Sequence, residues 1–175
     1  MSEIPVPQTV PSIFVLDANV FISAKNSYYA FDLVPAFWDS LIRFSADGRV
    51  RSIDRIKKEL EAGNDQLADW IKSGNMKEAF DNSGTADVVK AYERIVNWVQ
   101  ESGQFTPAAK EAFATDPDGW LVAYVAAHSG RIVVTQEVFN SNIKWKVPIP
   151  NICRGLGIKY VDTFEMLREL GFNLK

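Results

Sequence analysis

A four-residue apolar run, Ile13-Phe14-Val15-Leu16, ends abruptly on an acid, Asp17, and sets the terms for the rest of the chain. An uninterrupted run of that length reads as a strand buried on both faces, the kind found in parallel sheets covered by helices. Asp17-Ala18-Asn19 then turns into a helix start at Val20-Phe21-Ile22. The next helix opens at Pro35, a residue suited to the first helical position, and runs to about Ser45, before an Asp47-Gly48 turn. Val50–Ile53 reads as a short strand, and Asp54 as the cap of a helix that stops at Gly63. Residues 65–115 read as helical. Asp65 starts a short helix over 66–72, Thr85–Glu101 is a long amphipathic one, and Thr106-Pro107 opens another. A helix opened by Asp116-Pro117 runs to His128. Arg131–Thr135, Ile143–Ile149 and Ile158–Val161 are the remaining strand candidates, and Asp162 or Thr163 caps a last helix to Leu170. About five strands alternating with helices predict an α/β fold with a mostly parallel sheet between helical layers. The expected division is an extended segment over 1–12 and one domain over 13–175.

Composition removes several classes of function. One cysteine, Cys153, leaves no internal disulfide and suits a reducing compartment such as the cytoplasm. With His128 the only histidine, the common zinc sites and any histidine-based triad lose their parts, and His128 itself reads as a helix-end residue. No stretch approaches the roughly 20 apolar residues of a membrane span. Met1–Ser12 has three prolines and no basic region, so it does not read as a signal peptide. The net charge of −3 argues against nucleic-acid binding by bulk positive charge, but not against a local site.

The candidate site residues are acids near strand ends. In open parallel sheets, sites form outside the carboxyl ends of the strands. Asp17 follows the first strand, Glu137 follows Ile132-Val133-Val134-Thr135, and Asp118 lies in the first turn of an apolar, buried helix. Glu59 lies on the helix after the second strand. Each has an ordinary explanation. Asp17 could cap a helix, although Asn19 could do so instead. Glu59 could pair with Arg55, Asp118 could answer a helix dipole, and Glu137 could be a loop residue. Together they are harder to explain, because converging carboxylates repel unless a cation sits among them. Hard divalent ions such as Mg²⁺ and Mn²⁺ prefer oxygen donors and serve phosphoryl transfer well.

In this set of motifs the chain resembles a PIN domain, the fold of the VapC-type toxin ribonucleases. The matching pieces are Val15-Leu16-Asp17-Ala18-Asn19-Val20-Phe21-Ile22, Lys58-Glu59-Leu60, Asp118-Gly119-Trp120-Leu121-Val122-Ala123 and Val133-Val134-Thr135-Gln136-Glu137. The stretch Val147–Cys153, with Ile158–Asp162, resembles an uncharacterised PIN-like subfamily of bacteria. The resemblance implies a three-layer α/β/α fold and four acids holding Mg²⁺ or Mn²⁺, which carry over to Asp17, Glu59, Asp118 and Glu137. Asn19 and Thr135 match the polar positions beside them. The implied activity is metal-dependent endonucleolytic cleavage of RNA, as the toxin of a toxin–antitoxin pair. The implied partners are an RNA substrate and an antitoxin protein, with a homodimer left open. The sequence departs from the family at Glu137, where Asp is common, and leaves Asp116 as a rival to Asp118, which fits the spacing to Trp120 better.

Positive charge for substrate phosphates is available at Lys25, at Lys144, Lys146 and Arg154, and in the Arg43–Lys58 region; an ordinary solvated surface is the alternative. Tyr28, Tyr29 and Trp38 could stack on bases, although Trp38 suits a core. Two other functions compete. A haloacid-dehalogenase-like phosphatase also starts from a strand and an Asp, but needs a second acid where this chain has Asn19. A PIN-like fold with a degraded site would bind RNA or protein without cleaving. Setting the four proposed ligands aside leaves 18 acids against 19 bases, so the mild acidity is compatible with an RNA substrate once cations are bound.

Overall fold

A computed structural model describes residues 10–174. Residues 1–9 of the expected extended segment lie outside the described residues. The fold is α/β, with a five-stranded, all-parallel sheet between helical layers. The strands are β1 (Ile13–Leu16), β2 (Val50–Ile53), β3 (Phe80–Asp81), β4 (Arg131–Val134) and β5 (Tyr160–Val161), in the spatial order β3-β2-β1-β4-β5. The central strand β1 pairs Phe14 with Val50 on one side and with Ile132 on the other. Phe14, Val15 and Leu16 are fully buried, as the apolar run requires.

From β1 to β3 the chain moves one way across the sheet through α1 (Ala18–Ser23), α2 (Pro35–Ala46), α3 (Asp54–Glu61) and α4 (Gln66–Lys72). From β3 it returns through α5 (Ala86–Glu101), α6 (Pro107–Thr115) and α7 (Asp118–Ala126) to β4, then through α8 (Ile149–Leu156) to β5. Parallel crossovers are right-handed, so reversing direction sends the second group of helices to the opposite face. The reversal makes the gap between the carboxyl ends of β1 and β4 the switch point of the sheet. The closing helix α9 (Thr163–Glu169) brings Phe164 edge-on to Tyr28, and Phe172 beyond it edge-on to Phe37.

Most local signals act as the sequence suggests. Asp65, Thr106 and Asp162 accept backbone N–H groups at the starts of α4, α6 and α9, and Asp162 forms a capping box with Glu165. Other expectations fail. Ile143–Ile149 is not a strand. Pro148 denies it a ladder donor, and Pro148 and Pro150 open α8 instead. The fifth strand is the two-residue β3, too short to carry a periodic signal. Asp54 is the first residue of α3, with Ile53 at the cap position; its Oδ1 accepts the Arg55 N–H at 3.0 Å, the Ser83 hydroxyl at 2.6 Å and the Ser83 N–H at 3.1 Å. Tyr29 and Trp38 belong to an aromatic core, with Tyr29 stacked on Phe37 at 4.3 Å and Trp38 on Phe31 at 3.9 Å, which leaves Tyr28 exposed. Among the described residues no helix is long and apolar enough to cross a membrane.

Candidate metal centre

Strand β1 delivers Asp17 to the switch point. Its N–H still donates to the Val134 carbonyl of β4 at 3.0 Å, so its backbone belongs to the sheet edge. The residue occupies the cap position of α1 but makes no side-chain cap bond, and its carboxylate is almost fully buried, 1% exposed. Asn19 does not take over that cap; it lies half-buried in the first turn of α1. Thr135, directly after β4, donates its hydroxyl to Asp17 Oδ2 at 3.1 Å and accepts the Glu137 N–H at 3.1 Å. One hydroxyl therefore orients Asp17 and pins the start of the loop that carries Glu137.

Helix α7 brings Asp118 to the same point. Asp116 follows α6, and its Oδ1 accepts the Asp118 N–H at 2.9 Å across Pro117, at the start of α7. The next residue, Gly119, is required by packing: a Cβ there would lie 2.7 Å from the Phe113 ring and 3.0 Å from Tyr92. That absence lets α5 and α6 close on the first turn of α7 and bury Asp118 to 8% exposure.

Burial and mutual repulsion set the electrostatics. Burial first, then the Glu137 carboxylate, pushes Asp17 up to about 7, with the Thr135 hydrogen bond pulling the other way. Burial, then Asp17 and Asp116, pushes Asp118 up to about 9. Glu59 stands at the rim on α3. Desolvation and the neighbouring Asp116 carboxylate raise it, and the Lys146 ammonium opposes them. It does not pair with Arg55, whose guanidinium lies 4.0 Å over Trp120 and donates to the Ser83 hydroxyl. Arg55, Lys58, Glu59 and Asp116 line a cleft of about 400 Å³.

Glu137 is committed differently from the other acids. One carboxylate oxygen pairs with the Lys146 ammonium, and the other accepts the Ile149 N–H at 2.8 Å, at the first residue of α8. Burial works against the Lys146 charge, but Glu137, Asp118 and Asp116 together hold its ammonium above the usual lysine range. Lys146 is thus the cation among these acids. Its sequence signal was only a basic residue in an alternating run. Lys25, expected near substrate, instead pairs with Asp65 at the start of α4. Trp145, beside Lys146, is 75% exposed and was not singled out by sequence.

Among the described residues no three acid, histidine or cysteine side chains stand close enough to hold one ion as they are placed. The donor chemistry nevertheless fits Mg²⁺ or Mn²⁺. Asp17 and Asp118 are buried oxygen donors, and Lys146 shows that the spot draws positive charge. Mg²⁺ commonly takes one or two carboxylates, keeps several waters and completes its shell with substrate phosphate. His128 donates Nδ1–H to the Tyr124 carbonyl at 2.7 Å, away from this cluster, in keeping with a helix-end role.

A family model described as a domain of unknown function, DUF4411, matches residues 14–174. No curated protein matches the chain.

Proposed function

The chain belongs to the DUF4411 family, and from its carboxylate cluster we propose a PIN-like, Mg²⁺- or Mn²⁺-dependent endoribonuclease that hydrolyses RNA phosphodiester bonds. One observation carries the reading: two buried carboxylates, Asp17 and Asp118, lie at the switch point of a parallel sheet and are driven toward neutrality by burial and by neighbouring carboxylates. Such a pair is a liability for the fold alone and suits a site that receives a cation. That the substrate is RNA, and that the protein acts as a toxin held by an antitoxin, rests on the PIN resemblance.

Asp17 and Asp118 would hold the metal, with Thr135 fixing the orientation of Asp17 and Asp116 fixing the first turn that carries Asp118. Glu59 and Glu137 lie within Coulombic reach of the pair and would act through water. When bound, a divalent cation supplies an acidified water and charge against the phosphate. Arg55 and Lys58 in the adjoining cleft offer positive charge to the RNA backbone, and exposed Trp145 offers a face to a base.

The competing reading is a degraded site that binds without cleaving. It rests on Glu137, whose two oxygens are both engaged. Calorimetry with Mn²⁺ and cleavage of single-stranded RNA separate the two. The nuclease binds Mn²⁺, and Asp17→Asn lowers cleavage by roughly 10²–10⁴-fold. Purified wild type that neither binds Mn²⁺ nor cleaves RNA overturns the proposal.

A further inference from the structure

Another cleft lies at the opposite edge of the sheet. It has a volume of about 480 Å³ and is formed where α7 ends and β4 begins, against α5 and the end of α8. Its walls carry Arg94, His128, Arg131 and Lys159, and no aspartate or glutamate lines it. None of Arg94, Arg131 and Lys159 enters an ion pair among the described residues. In a chain of net charge −3, three cations gathered without an acid need a reason.

The side chains are arranged as well as gathered. Arg131 lays its guanidinium 4.6 Å from the Tyr124 ring centre, a contact that restricts the side chain before any ligand arrives. Its Nε is the one buried side-chain polar atom without a hydrogen-bond partner among the described residues. A buried donor left unmet is costly, and the guanidinium fork is shaped for the paired oxygens of a phosphate. Ile95, Val125 and Ile158 supply an apolar surface beside the cations. The volume lies within the roughly 300–1,000 Å³ of small-molecule sites.

We propose that this cleft binds an organic phosphate with at least two negative charges, a nucleotide in class, its phosphates on Arg94, Arg131 and Lys159 and its ring on the apolar surface. A monocarboxylate leaves two of the three cations unanswered. The site is separate from the acidic cluster and does not depend on the nuclease reading.

The test is calorimetry on the full chain with ADP, pyrophosphate and adenosine, with EDTA present to keep metal out of the acidic cluster. ADP and pyrophosphate bind, adenosine binds at least tenfold more weakly than ADP, and added salt weakens ADP. The double variant Arg94→Gln, Lys159→Gln changes two exposed residues; it keeps the wild-type melting temperature and loses at least tenfold in ADP affinity. Arg131→Gln loses more, and if it fails to fold the double variant decides. Asp17→Asn binds ADP as wild type does. No heat from ADP or pyrophosphate at millimolar concentration overturns the proposal, as does equal binding of adenosine and ADP, or an unaffected double variant. A single-stranded RNA that needs Arg94 and Lys159 while ADP does not bind also overturns it, and assigns the cleft to a polynucleotide.

Discussion

The two edges of the sheet solve opposite electrostatic problems. At the carboxyl edge, Asp17 and Asp118 are buried and crowd one another, and Lys146 supplies the nearby positive charge. At the amino edge, Arg94 and Lys159 are exposed around an open cleft that no acid lines. Helix α7 joins the two edges. Its N-terminus carries Asp118 and its C-terminal end reaches the cleft beside His128 and Arg131, so its dipole favours each charge where it lies. The lesson is that net charge hides function here: the −3 of the whole chain averages a buried acidic site and an open basic one.

The contrast can be broken most strongly at Asp118. Asp118→Asn is expected to abolish Mn²⁺ binding and lower RNA cleavage by roughly 10²–10⁴-fold, measured by calorimetry and gel assay, with ADP binding unchanged. Loss of ADP binding as well would mean that the two edges are not independent.

The next largest effect is on stability against pH. Asp17 and Asp118 both titrate above their unfolded value of 3.8, so the folded state keeps protons that the unfolded chain gives up. Stability of the metal-free protein is therefore full at low pH and is lost as pH rises from about 4 through about 7 and 9. Denaturation in EDTA should show stability falling between pH 5 and pH 8, by on the order of 1 kcal/mol per pH unit for each of the two carboxyls still protonated. Mn²⁺ should flatten the curve, and Asp17→Asn should reduce its slope. The basic-edge double variant should leave the slope intact.

Gly119→Ala sharpens the comparison through packing. The new Cβ must displace the buried Phe113 ring, at a cost of about 1–3 kcal/mol. Because the strain falls on the first turn of α7, Mn²⁺ affinity should fall while ADP affinity holds. The smallest effect is at Lys146, whose side chain is 39% exposed. Lys146→Met is expected to lower metal-free stability by about 1 kcal/mol, after allowance for solvent screening. The rise in melting temperature on adding Mn²⁺ should be larger than in wild type, since the added cation then replaces a missing charge.

Much of the frame was legible because local rules acted without competition. The Ile13–Leu16 run is the central strand, and Asp65, Thr106 and Asp162 cap the helices they precede. Asp17, Asp118 and Glu137 do come within reach of one another, as their places after β1, before α7 and after β4 imply. The failures share a cause. Ile143–Ile149 alternates like a strand, but Pro148 makes it a loop and a helix start, and β3 owes its two residues to pairing with β2.

Residue order alone was enough for the parallel sheet, its helical cover and the acids at strand ends, since periodicity and capping depend on near neighbours. Which charges meet was decided only in three dimensions. Lys146 becomes the cation of the acidic cluster because a loop and the start of α8 fold back onto Glu137. Arg94, Arg131 and Lys159 share one cleft because the middle of α5, the start of β4 and the lead-in to β5 meet at the same edge. Coulomb energy depends on distance and burial, and packing sets both.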